Sequence, residues 1–311
     1  MTLASQTRSM PANTSLEDID YEELPASTTL GMHLVAGAAA GIMEHSVMYP
    51  IDIVKTRMQV VGSSVAYNGV VQALRSISTT EGMRTLYRGV MSVVLGAGPA
   101  HAVYFATYEH TKKILAGGQA NALAAGAAGG VATVVSDALM NPFDVVKQRM
   151  QLANSVHRSI WSCARTVFHK EGIRAFYVSY PTTLMMNMPF QTIQFGCYDA
   201  FRRMLNPQNS YSPITHVAAG GMAGAVAALL TTPIDCCKTL LQTRGASLDA
   251  EVRAAGSMRD AVRIIYKRQG LKGFWRGAKP RVIANMPATA ISWTTYEYFK
   301  WAIARRESSK I

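Results

Sequence analysis

A ten-residue pattern occurs three times along the chain, and this repetition limits the possible folds more than any other feature. Pro50-Ile-Asp52-Ile-Val-Lys55-Thr-Arg57-Met-Gln59 returns as Pro142-Phe-Asp144-Val-Val-Lys147-Gln-Arg149-Met-Gln151 and again as Pro233-Ile-Asp235-Cys-Cys-Lys238-Thr-Leu-Leu-Gln242. The copies stand 92 and 91 residues apart. A second signature follows each: Glu81-Gly82 through Tyr87-Arg88-Gly89, Glu171-Gly172 through Tyr177, and Gln269-Gly270 through Trp275-Arg276-Gly277. A third closes each unit: Tyr108-Glu109 with Lys112, Tyr198-Asp199 with Arg202, and Tyr296-Glu297 with Lys300. Three motifs in one order, three times, describe three copies of one supersecondary unit.

Each unit holds two long apolar stretches, for example 34–53 and 90–108, around an amphipathic basic segment. About 20 helical residues cross a bilayer core, so the pattern predicts six transmembrane helices with both termini on one side. Gly37/Gly41, Gly126/Gly130 and Gly220/Gly224 have the spacing that lets embedded helices approach closely. Charged residues make up 16% of the chain, against about 25% in soluble proteins. The predicted class is an all-α membrane protein of three pseudo-symmetric repeats with short amphipathic helices between paired spans. The expected boundaries are a disordered acidic tail over 1–29, repeats over 30–116, 117–206 and 207–304, and a C-terminal tail over 305–311.

The net charge of +12 first suggests nucleic acid or an anionic surface. Of the 31 Lys and Arg, however, 22 fall in the three segments between paired spans. Topology and anionic lipid account for that concentration, and nucleic acid is not an expected partner. Cys163, Cys197, Cys236 and Cys237 form no CxxC pair, so neither a disulfide framework nor a structural zinc site is expected. No nucleophile–base spacing, phosphate loop or HExxH motif supports an enzyme.

Proline inside a spanning helix removes a backbone donor and bends the helix, so three equivalent prolines would converge three helices on one axis. Just beyond each lie Asp and, three residues on, Lys, on one helical face. Ionisable groups at such depth are expected to point inward and pair. Threefold pseudosymmetry predicts a ring of Asp52 with Lys147, Asp144 with Lys238 and Asp235 with Lys55, with Gln59, Gln151 and Gln242 bonding across the pairs. At the other end a second ring is expected, Glu109 with Arg202, Asp199 with Lys300 and Glu297 with Lys112, beside Tyr108, Tyr198 and Tyr296. Two breakable plugs on one cavity describe alternating access.

These signatures resemble the mitochondrial carrier family over about residues 30–304. The resemblance implies a monomeric transporter of the inner mitochondrial membrane, with termini toward the intermembrane space, cardiolipin at the helix-end glycine motifs, and one central site. Leu240 in place of the second basic residue, Gln269 in place of Glu, and Val178-Ser179 in place of Arg-Gly depart from the pattern. The last departure puts one lipid motif in question.

In that family, substrate meets the even helices about one turn before their prolines, at Gly96, Met186-Asn187 and Ala284 here. None is cationic, which disfavours anionic substrates. By family register His45 and its equivalent Asp137 face the cavity, His101 follows Pro99 by two residues, Met186, Asn187 and Met188 cluster on the fourth span, and His216 opens the fifth. Imidazole suits first-row divalent metals. The runs around Gly96–Phe105 and Met186–Gln191 are similar to the mitoferrin subgroup of iron importers. That resemblance implies ferrous iron as substrate, no tightly bound cofactor, and roles in iron transfer for His45, His101, His216 and the Met186-Asn187 pair, with Met188 and Asp137 as further candidates. Copper, manganese, zinc, a small organic cation or a non-transporting scaffold are the alternatives.

Overall fold

The computed structural model describes residues 30–61, 67, 69–116, 122–153, 155, 157, 159–207, 213–285, 287–288 and 290–291, with side chains in the first helix from Gly41 onward. Among the described residues the regular structure is entirely helical. Five long helices dominate: α1 (Leu30–Gln59), α3 (Val90–Ala116), α4 (Ala122–Gln151), α6 (Tyr180–Leu205) and α7 (Pro213–Thr243). Residues 278–285 begin a sixth. Between them run the short helices α2 (Val70–Thr80), α5 (Ile160–Glu171), α8 (Ala250–Ala254) and α9 (Met258–Gln269). Pro50, Pro142 and Pro233 lie inside α1, α4 and α7, and each helix continues through its proline.

The repeat is visible in the packing. In the first unit Ala73 and Ile77 of α2 bury against Ile53 and Val54 of α1. In the second, Cys163 and Val167 of α5 meet Val146 and Met150 of α4. In the third, Ala261, Ile264 and Ile265 of α9 meet Cys236, Cys237, Leu240 and Leu241 of α7. Each short helix lays its apolar face on the end of an odd-numbered span, and a 3₁₀ turn (Met83–Tyr87, Ile173–Phe176, Leu271–Trp275) leads into the next span. Burial pushes the Cys163 thiol up to about 11, so it acts as an apolar filler. We call the side bearing the short helices the connector side.

Among the described residues only Met83–Leu115 and Ile214–Ala246 are apolar enough to cross a membrane on composition alone. The sequence reading expected every span to be so. In α6 the run 180–197 holds no charged residue, but Thr182, Thr183, Asn187, Gln191, Thr192 and Gln194 lower its mean hydropathy. The small-residue seams also need correction. Among the described residues a Cβ at Gly41, Gly126 or Gly130 would meet nothing within 4 Å, whereas one at Gly224 would press on Asn285 at 3.3 Å. The close approach described is thus between α7 and the sixth helix.

Two glycines hold the joints between connector and span. Gly89 (φ 93°) and Gly277 (φ 78°) adopt left-handed backbone, and a Cβ would stand 2.8 Å from the Tyr49 hydroxyl and 2.7 Å from Gln59 Cγ respectively. In the second unit Ser179 takes this place with φ −84°, so that joint needs no glycine. Gly277→Ala is expected to lower stability by about 1–3 kcal/mol, from backbone strain and displacement of Gln59. Gly130→Ala, in open space within α4, serves as the control and should leave the thermal midpoint unchanged or slightly raised.

Candidate functional site

The three Asp/Lys pairs close a ring on the connector side. Lys147 Nζ is 2.5 Å from Asp52 Oδ2, Lys55 Nζ 3.0 Å from Asp235 Oδ2, and Lys238 Nζ 3.4 Å from Asp144 Oδ2. Each carboxylate is paired across a seam to the next unit, in the cyclic order the repeats dictate. Tyr49, one residue before Pro50, donates its hydroxyl to the Arg88 carbonyl at 2.9 Å, and its ring lies 5.6 Å from Lys147 Nζ.

The glutamines are not equivalent. Gln59 donates to Asp235 Oδ2 at 2.6 Å and accepts from Thr239 at 2.9 Å. Gln151 accepts from Thr56 at 2.6 Å and does not reach an ion pair. Among the described residues the buried Gln242 amide has no protein partner. Among them, therefore, only Gln59 bonds across a pair, and the threefold expectation is corrected for the other two. Two guanidinium groups reinforce the ring: Arg57 pairs with Glu81 and donates from Nε to the Gln151 carbonyl at 2.9 Å, while Arg149 pairs with Glu171 and donates to the Gln242 carbonyl at 3.1 Å.

Above the ring lies a cavity lined by Glu44, His45, Met48, Asp52, Lys55, Lys147, Phe190, Arg281, Ala284 and Asn285, among others. His45 projects into it from α1 and is solvent-exposed. His101, on α3, is also exposed. Its Nδ1 is 2.8 Å from the Ala97 carbonyl. A carbonyl only accepts, so Nδ1 carries a proton, which leaves Nε2 as the ring nitrogen that a metal would meet. On the facing side Asn187 donates to Asp137 Oδ2 at 2.6 Å, which couples α6 to α4.

Other expected residues stand elsewhere. Met188 is 75% exposed and lies two residues, roughly 200° of helix, from the cavity-lining Phe190. The expectation that it faces the cavity is corrected by this register. Gly96 packs into the α3–α4 contact, where a Cβ would stand 2.8 Å from Met140 Sδ and Phe143 Cγ. Met186 is half-buried on α6. His216 is buried on α7, its Nδ1 2.6 Å from the Tyr198 hydroxyl, and is not among the cavity-lining residues. Among the described residues no three His, Cys, Asp or Glu side chains converge as a metal cage.

At the end opposite the connectors, Tyr108 stacks on Tyr104, and Lys112 Nζ lies 5.4 Å above the Tyr108 ring. Among the described residues no ion pair joins Glu109 to Arg202. Glu297, Lys300 and Tyr296 lie outside the described residues, and with them the pairs expected for Asp199 and Lys112. The first ring is closed, and the one pair of the second ring whose members are both described is not formed.

Arg281 was missed in the sequence. It is 9% exposed, with Nη1 3.5 Å from Asp235 Oδ2 and Nη2 3.2 Å from Thr231 Oγ1. A cation directly after Pro280, at the start of an apolar tract, was the available signal.

A family model described as mitochondrial carrier protein matches residues 26–119, 118–209 and 209–307. The chain is 49% identical over 297 residues to human Mitoferrin-1, covering 93% of this chain and 88% of that protein. It is 50% identical over 291 residues to the Saccharomyces cerevisiae Mitochondrial RNA-splicing protein MRS4, covering 91% and 95%. Danio rerio Mitoferrin-1 is 47% identical over 316 residues, covering 98% and 94%.

Proposed function

The chain belongs to the mitochondrial carrier family, and from that premise we propose that it imports ferrous iron across the inner mitochondrial membrane into the matrix by alternating access, for haem and iron–sulfur synthesis. The observation that carries the reading is the chemistry of the cavity: the exposed imidazole of His45 beside the carboxylates Glu44 and Asp52, above a closed ion-pair ring, with a second exposed imidazole, His101, on α3 outside the described lining. The three positions where the family meets its substrate offer Gly96, Met186-Asn187 and Ala284, none of them a cation. Two imidazoles with water suit an ion that must leave again, whereas a tetrahedral four-ligand set suits a resident one.

In this reading the connector side faces the matrix and both termini face the intermembrane space. The first ring, Asp52, Lys55, Asp144, Lys147, Asp235 and Lys238 with the three glutamines, is the matrix gate. Glu109, Lys112, Asp199, Arg202, Glu297 and Lys300, with Tyr108, Tyr198 and Tyr296, form the cytoplasmic gate. The carrier acts as a monomer, with cardiolipin at the connector ends. Asp137 and Asn187 hold the wall opposite the imidazoles, and His216, bonded to Tyr198, supports the cytoplasmic gate instead of meeting iron.

Isolated mitochondria bearing this chain as their only carrier of this subgroup test the proposal. Radiolabelled ferrous iron should enter the matrix saturably and be stopped by an impermeant ferrous chelator. Entry equal to that of mitochondria without the chain would refute it.

A further inference from the structure

The residue before each repeated proline is buried, and it differs in every unit: Tyr49, Asn141 and Thr232. Asn141 stays within its own unit, donating to the Phe176 carbonyl and accepting from the Ser179 hydroxyl at 3.3 Å. Thr232 turns back on its own helix and donates to the Ala228 carbonyl at 2.6 Å. Tyr49 makes contacts in two directions. Its hydroxyl donates to the Arg88 carbonyl at 2.9 Å and its ring stacks on Tyr87, with centroids 6.5 Å and planes 12° apart, which anchors it at the joint between α2 and α3. The same ring lies 5.6 Å from the ammonium of Lys147, which belongs to the next unit. Among the described residues, Tyr49 is the one side chain before a repeated proline that reaches across a seam of the ring.

Two carboxylates neighbour Lys147. Asp144 precedes it by three residues on the same helix, and Asp52 faces it across the first seam. Lys147 takes Asp52 at 2.5 Å, and Asp144 is left to Lys238. An aromatic face attracts an ammonium without neutralising it, so the cation stays available to a carboxylate beside the ring. We propose that Tyr49 is a positioning residue of the ion-pair ring: its face seats Lys147 on the Asp52 side of the seam, and its anchorage at Arg88 fixes where that face stands. The joint is shaped around this anchorage, since Gly89 has left-handed backbone and a Cβ there would stand 2.8 Å from the Tyr49 hydroxyl. The first seam is thus held shut by an ion pair and an aromatic face, whereas among the described residues no aromatic ring underlies Lys55 or Lys238. Opening it takes Lys147 off both. The inference concerns how the ring is assembled and stands whatever the cargo is.

Two buried threonines report the seams separately. Thr56 bonds to Gln151 at the first seam, and Thr239 bonds to Gln59 at the third. Thr56→Cys and Thr239→Cys are made singly in the full chain in liposomes, each with Tyr49 intact, Tyr49→Phe or Tyr49→Met, and maleimide labelling is read by peptide mass spectrometry. Tyr49→Met removes the ring and should speed labelling of Thr56→Cys at least about fivefold, with less than about twofold change at Thr239→Cys. Tyr49→Phe keeps the ring and should leave both rates within about twofold of the parent. Ile77→Ala opens a cavity in the same apolar cluster without removing the aromatic face. It should lower the thermal midpoint and leave the labelling of Thr56→Cys within about twofold. Unchanged labelling with Tyr49→Met, an equal rise at both seams, a Tyr49→Phe rate equal to that of Tyr49→Met, or an equal rise with Ile77→Ala overturns the proposal. Should Tyr49→Met fail to fold, trifluorinated phenylalanine at position 49 keeps the shape of the ring and weakens the negative face that draws the ammonium. It should label Thr56→Cys at least about threefold faster than Tyr49→Phe, and equal rates overturn the proposal.

Discussion

Replacing His45 with alanine is expected to cut the maximal rate of ferrous iron uptake at least about tenfold, the lower end of what loss of a metal-supporting contact costs. His45 is exposed in the cavity, so the truncation removes little packing. Its thermal midpoint should stay within about 1–2 °C of the parent, as an exposed substitution costs about 0.5 kcal/mol or less. His101→Ala should behave similarly, since its Nε2 is the second imidazole donor. His216→Ala should differ: removing the partner of Tyr198 should lower the melting temperature and slow turnover without raising the KM for iron. Uptake assays paired with thermal melting on the three variants separate ligand from support.

Asp235→Asn is the second large effect. Asp235 has 4% side-chain exposure and accepts from Lys55 and Gln59 while facing Arg281. The amide keeps the shape and loses the charge, leaving two buried cations without their counter-ion. Removing one partner of a buried pair costs about 3–5 kcal/mol. Asp144→Asn should cost less, because Asp144 has one partner at 3.4 Å and 24% side-chain exposure. Thermal melting should rank Asp235→Asn well below Asp144→Asn, and equal losses would mean the ring is symmetric in energy as well as in sequence.

What the sequence made legible follows from repetition. Asp52, Asp144 and Asp235 could be assigned to Lys147, Lys238 and Lys55 because a threefold unit leaves two cyclic pairings, and the one that joins each Asp to the following unit is the one formed. Packing of α2, α5 and α9 followed in the same way, from apolar faces recurring at one place in each unit. What repetition could not supply were the features in which the units differ. Gln59, Gln151 and Gln242 share a position, yet only Gln59 meets an ion pair. Arg281 lies outside every repeated motif, a single cation at the start of an apolar tract, so repetition offered no partner for it. Met188 was drawn to the cavity by its neighbours Met186 and Asn187, but helical register turns it away from Phe190. Gly96 was assigned by its distance from Pro99, whereas the α3–α4 contact covers it. Among the described residues nothing stands against Gly41, Gly126 or Gly130, so the close approach expected there is not seen.

The most direct test of the central claim uses the unmodified protein in liposomes with an interior ferrous indicator and an imposed membrane potential. A divalent cation gains roughly twice 2.3 kcal/mol per 100 mV of inside-negative potential. The account predicts saturable iron entry that rises steeply as the interior becomes negative and that external nucleotides or dicarboxylates do not inhibit. Iron entry no greater than in protein-free liposomes, together with exchange of those anions, would contradict it.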